Sequence, residues 1–261
     1  MPNEIIFVSS VPELGGSTPI TNLPEMKLLF TCIAALLTLS AGNALAQADL
    51  SQLADHPRLL LPKGAEKKLL KQINRDAVWK EIHTATLGEA DRIITLPVSE
   101  RIKTGMRLLA VSRENLRRIF ILSYAYRMTG QEKYLVRAEQ EMLKAASFSD
   151  WNPSHFLDVG EMTMALGVGY DWLPALSEAS RRTIREAIVK KGFKPSYDTA
   201  YNWFVDAEHN WNQVCNGGLA FGAIAVAESE PEWAQKIIDR AIDKVRLPMR
   251  HYAPDGAYPE G

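Results

Sequence analysis

No sign of charge dominates this sequence. Its 30 lysines and arginines face 31 aspartates and glutamates, a formal charge of −1 over 261 residues. That balance excludes a global basic surface, so nucleic acid is not an expected partner, and an anionic ligand must meet local cations. Cysteine is nearly missing: Cys32 lies in an N-terminal apolar run and leaves Cys215 alone in the rest of the chain, which excludes an internal disulfide there. Next to Gly217 and Gly218, Cys215 reads as a small packing residue rather than a nucleophile. The five histidines are scattered, with no HxxxH or HExxH pattern, so neither a metal site nor a cofactor is expected. Sustained strand-like alternation is also lacking, which points away from a sheet. What is present is apolar: 46% of residues are hydrophobic, enough for a sizeable core.

The apolar run at the N-terminus has its own grammar. Met26 to Gln47 reads MKLLFTCIAALLTLSAGNALAQ, a lysine followed by an apolar stretch and then Ala44-Leu45-Ala46. This is the pattern of a secretory signal peptide, residues 26–46, cleaved after Ala46. The run is too short for a stable membrane span, so none is expected after cleavage. Residues 1–25 then read as an extension from a start assigned too far upstream, with Met26 the initiator. The expected location is secreted or periplasmic, and residues 47–261 form the folded domain.

Along that domain the pattern is helical. His56 to Leu61 is an extended opening segment, closed by Pro62-Lys63-Gly64. Helices are predicted from Ala65, over about 77–94 and over about 98–111. Three pairs then share one plan: 114–128 with 131–146, 159–172 with 178–191, and 214–227 with 233–245. The first member of each pair is apolar nearly all round, and the second is amphipathic. A helix apolar all round must be covered on both sides. Short Gly or Pro links make the members of a pair antiparallel. The expected fold is therefore all-α, an α/α toroid whose first helices lie inside and second helices outside.

The longer connections, 147–158 and 197–213, each arrive at an inner helix and are rich in aromatics and amides. Loops held by a rigid frame are where sites are built. Trp151, Phe156, Tyr201, Trp203 and Trp211 could stack on sugar rings or plug the end of the core, and polar neighbours such as His155 favour the first reading. His209, Asn210 and Asn212 form the sharpest polar set, although an asparagine ahead of a helix also serves as a cap. Arg113 and Arg117, near an inner helix start, are candidate cations for an acidic ligand.

HNWNQVCNGG followed by AxGAxAxAE, then YAPDGAYPEG at Tyr252 to Gly261, resembles the heparinase II/III-like polysaccharide lyases. HPRLLL near the start of the domain is similar to their N-terminal region, so the resemblance covers about residues 55–261. It implies an α/α toroid, a C-terminal antiparallel β-sheet domain, and cleavage of an acidic, uronate-containing polysaccharide of the heparin, heparan sulfate or alginate kind by β-elimination. It gives Asn212, with Asn210 as the near alternative, the role of binding the uronate carboxylate, where charge develops. It makes His209 a helper and possible base, and Tyr258 a candidate proton carrier. Tyr258 and Glu260 have a second reading, as residues that line the cleft or fix its loop. The later tyrosine, the later histidine and the β-sheet domain are not in this sequence. A truncated chain that binds sugar without turning it over is thus among the expectations. Two rivals remain: a glycoside hydrolase with a carboxylate pair from Asp158, Glu161, Asp206, Glu208, Asp255 and Glu260, and a non-catalytic sugar-binding helical module.

Overall fold

A computed structural model describes residues 47–258. The expected extension (1–25), the signal peptide (26–46) and Glu260 lie outside the described residues. Helices account for most of the described chain, and no strand occurs among the described residues, so the fold is all-α. Helix α1 (Ala65–Arg75) follows Gly64. Helix α2 (Ala77–Thr95) starts at Asp76, whose carboxylate accepts the N–H of Val78 and Trp79.

The helix expected over 98–111 does not form. Pro97 has no N–H to give, and Leu96 before it is extended. Thr104 and Arg107 exchange backbone hydrogen bonds around Gly105, which sits at φ 60°. Helix α3 starts only at Leu109 and runs to Thr129. It ends where Gly130 adopts a left-handed conformation and donates its N–H to Tyr126 O at 2.7 Å.

The three pairs follow as predicted in order, with shifted ends. Helix α4 spans Glu132–Ser147, α5 Phe156–Trp172 and α6 Glu178–Ala187. Helix α7 spans Asn210–Val226, and α8 spans Pro231–Lys244 with proline in its first turn. Helix α6 was expected to continue to Lys191, but the chain widens into a π-helical turn over Ile188–Phe193. That turn lays Gly192 against Thr163, where a Cβ would lie 2.6 Å from the hydroxyl. Pro195 then removes a donor from the ladder, and the chain leaves as a 3₁₀ turn, Lys194–Tyr197.

Helices α3, α5 and α7 form one row, with α5 in the middle. Fourteen residues of α5 are buried. Glycines set the α5–α7 spacing. A Cβ on Gly218 would fall 2.1 Å from Gly160 O, and one on Gly167 would fall 2.9 Å from Gly222 Cα. Gly160 also meets Cys215. Positions 160 and 167 thus pair with 215 and 222, so the two helices run parallel. Leu108 with Asp158, Arg113 with Glu161 and Ile119 with Gly169 show the same parallel run for α3 and α5. All three N-termini therefore share one end of the row. The amphipathic α4, α6 and α8 return antiparallel and cover one face.

Helix α5 carries a buried aspartate at each end, and each ties down a connecting segment. At the far end, Asp171 accepts the backbone N–H of Arg58 and Leu59 and lies 2.5 Å from His56 Nδ1. At the near end, Asp158 accepts from Leu108 N at 2.6 Å and Asn152 Nδ2 at 2.6 Å, and lies 2.7 Å from His155 Nδ1. The side of the row away from the covering helices shows a half-buried stripe that includes Leu157, Glu161 and Met164 on α5 and Gly217, Phe221 and Ile224 on α7.

Arginine–glutamate pairs lace α2, α3 and α4. Arg117 bridges Glu114 and Glu89, and buried Glu141 receives Arg118, Arg137 and the N–H of Ser99. The Arg117 guanidinium holds Glu114, and that of Arg92 holds Glu89, with carboxyls near pH 2. Depressed carboxylates contribute stability above their unfolded pKa and lose it as pH falls through the folded value. Melting temperature is expected to fall as pH drops from about 5 towards 2. A Glu89→Gln, Glu114→Gln double variant should show a shallower fall in a pH series of thermal melts. Equal slopes would remove this network as the cause.

Candidate functional site

The polar stretch at 209–213 opens a helix: His209 caps it and residues 210–213 form its first turn. His209 is the N-cap of α7, extended at φ −133°, and its Nδ1 accepts the N–H of Trp211 at 3.4 Å. Asn210 and Trp211 are half-buried in the first turn. Asn212 is fully buried. Its Nδ2 lies 2.8, 3.0 and 3.2 Å from the carbonyl oxygens of Val205, Ala207 and Lys244, and its Oδ1 accepts from Asn216 Nδ2. The resemblance gives Asn212 the carboxylate-binding role; here its amide ties the 3₁₀ turn Asn202–Asp206 and the end of α8 to the start of α7.

The aromatic residues separate into two groups. Trp151 is fully buried and donates its indole N–H to Ala145 O at 3.0 Å, and Phe156 stacks on Phe204 inside the core. Trp151 is therefore a plug, not a sugar platform. Tyr201 is half-buried against the same core. The others form a ladder across the helix ends. The His155 ring meets Trp211 edge-on at 4.8 Å, Trp211 lies 4.8 Å from Trp203, and Trp203 lies 6.0 Å from His209. Trp203 is 50% exposed, so one indole offers its surface to solvent.

Beside the ladder, Arg113 pairs with Glu161 at 3.1 Å. Burial pushes the Glu161 carboxyl above its usual range, and Arg113 opposes that rise. Arg117 is committed to the Glu89–Glu114 network and does not join this cluster. Cys215 lies in the α5–α7 contact with its thiol pushed up by burial, so thiolate chemistry is disfavoured there.

The C-terminal segment reaches the same helix end. Tyr258 stacks on Tyr252 at 4.9 Å, and the Tyr252 hydroxyl accepts from Gln213 Nε2 at 3.3 Å. Lys244 pairs with Asp206, and His251 lies 3.6 Å from Glu208. Sequence reasoning offered Asp158 and Glu161 only as hydrolase carboxylates, and missed that Asp158 organises His155. The HxxD spacing at the head of α5 is the signal that carried this, since residues three apart share a helix face.

A hollow of about 690 Å³ is lined by residues of the 47–53 segment and by Ala227, Glu228, Pro231 and Gln235; none of the candidate side chains lines it. No cluster of three or more metal-ligating side chains occurs among the described residues. No helix among them is long and apolar enough to cross a membrane. Comparison with models of known protein families and with curated proteins finds no match for the sequence.

Proposed function

We propose that the row of hairpins is an arc of an α/α toroid, and that the mouth at its N-terminal end binds an acidic polysaccharide and cleaves it by β-elimination, as in the heparinase II/III-like lyases the sequence resembles. The observation that carries this reading is the His155–Trp211–Trp203–His209 ladder at the parallel N-termini of α5 and α7. Aromatic faces suit the apolar faces of sugar rings. Helix N-termini present positive potential to a uronate carboxylate. Arg113, paired with Glu161, adds a cationic group beside the ladder.

Within this reading Asn210 and His209 take the carboxylate end of the substrate, and Asn212 holds the turn that positions them. Tyr258 is the candidate that returns a proton to the leaving oxygen. The N-terminal lysine–apolar–AxA pattern supports a secreted or periplasmic location.

One observation favours a second reading. Glu161, half-buried with its carboxyl raised, has the character of a general acid, as glycoside hydrolysis requires. Products separate the two. The protein is incubated with a panel of uronate polysaccharides while ultraviolet absorbance of unsaturated uronate and new reducing ends are followed together. A rise in both is expected. Reducing ends without absorbance would establish hydrolysis, and binding without either would leave a sugar-binding module.

Trp203→Ala tests the platform itself. Losing a half-exposed indole should weaken saccharide binding about tenfold, or ~1.4 kcal/mol, with little change in melting temperature. Unchanged affinity by calorimetry would remove Trp203 from the site.

A further inference from the structure

The ladder ends in a histidine that is hydrogen-bonded to a buried carboxylate. We propose that His155, held by Asp158, is the base that takes the proton from the uronate ring; this rests on the lyase reading above. Asp158 is fully buried, and its carboxylate is fixed from three sides by Leu108 N, Asn152 Nδ2 and His155 Nδ1 at 2.6–2.7 Å. Such a carboxylate is a rigid acceptor. It keeps the imidazole proton on Nδ1, which leaves Nε2 as the lone-pair nitrogen. The His155 side chain is 14% exposed, so the dyad is not sealed in the core. Its ring is braced edge-on by Trp211, the next rung of the proposed sugar platform.

The surroundings suit a base at this position. From α5 the ring meets Asp158 and the field of Glu161. From α3, Arg113 reaches Glu161 and balances it. Helix α7 supplies Trp211, which is uncharged. His209, the helper suggested by the resemblance, has no such carboxylate: its Nδ1 accepts from its own helix.

In the step, Nε2 of His155 takes the proton from the carbon beside the uronate carboxylate. The electron pair of that C–H bond becomes the ring double bond as the bond to the glycosidic oxygen breaks. The oxygen departs with the pair of the broken bond and takes a proton from the Tyr258 hydroxyl, and the imidazolium returns its proton through water to the tyrosinate so formed. The products are an unsaturated uronate end and a sugar hydroxyl, and no oxidant or cofactor is consumed.

The test uses the full chain and the uronate polysaccharide that gives the strongest absorbance rise. His155→Gln is expected to lower kcat by 10²–10⁴-fold with KM little changed. The acidic limb of the native pH–rate profile should disappear, and free imidazole should restore part of the rate. Nitrogen NMR of the native protein should find the His155 proton on Nδ1, with the Nε2 signal shifting when a uronate oligosaccharide is added. A His155→Gln enzyme within a few-fold of native rate, an unchanged acidic limb or an Nε2–H tautomer would overturn the assignment while leaving the lyase reading intact. A native chain that yields no unsaturated uronate on any panel member overturns the lyase reading and the assignment with it. Should His155→Gln melt early, His155→Asn measured below its melting point serves the same comparison, and a native rate there overturns the assignment.

Discussion

Gly218→Ala is expected to cost at least ~3 kcal/mol of stability, whereas Gly217→Ala, one residue earlier in the same helix, should be neutral or stabilising by up to ~1 kcal/mol. The two glycines differ only in what they face. A Cβ at Gly218 would lie 2.1 Å from Gly160 O and 2.6 Å from its carbonyl carbon, all of it backbone of α5. No side chain can rotate away, so α5 and α7 must separate, and the contact that joins them loses its packing along its length. A Cβ at Gly217 meets nothing within 4 Å. There the gain is alanine's better helix propensity alone. For a domain of this size, ~3 kcal/mol lowers the melting temperature by about 6–12 °C. Paired thermal melts check this directly. A Gly218→Ala protein that melts with the native one would mean that α5 and α7 do not approach through these residues.

The same pair of helices explains how much of the fold was legible. Helix order and the alternation of wholly apolar with amphipathic members were readable because each hairpin is punctuated by Gly130, Pro174 or Pro231, which local chemistry decides. The segment 98–111 was misread because its apolar spacing fits a helix, while Pro97 and Gly105 carried the opposite message more weakly. The mouth was only half legible. Residue types at 203, 209 and 211 pointed to a polar and aromatic cluster, and the ladder brings them together with His155. Yet nothing in the type of Trp151 or Asn212 says which way the side chain points. Trp151 turned inward because Ala145 O offered its indole a partner, and Asn212 because three carbonyls at the end of other segments needed a donor. Such acceptors come from positions as distant as Lys244, and pairing of that kind is invisible to local pattern.

Asn212 therefore separates a structural role from a chemical one. Asn212→Ala is expected to destabilise the protein by roughly 2–4 kcal/mol, because the carbonyls of Val205, Ala207 and Lys244 and the amide of Asn216 lose a buried partner at once. Asn212→Asp keeps the shape but turns a donor into an acceptor facing those oxygens. At neutral pH it should be at least as damaging, since the new carboxylate is buried and unpaired. Its folded-state pKa must then lie above the unfolded value of about 4. The sign follows: for a raised carboxyl the favourable protonated form is present below the unfolded pKa, and stability is lost as pH rises through the folded one. Relative to the native protein, Asn212→Asp should recover as pH is lowered towards 4, while Asn212→Ala should not. Melting curves of the three proteins at pH 7 and pH 4.5 make the comparison. If both variants melt with the native protein and only polysaccharide turnover is lost, Asn212 meets the substrate carboxylate after all, and the tie between the Asn202–Asp206 turn, α7 and α8 is not what holds the mouth in place.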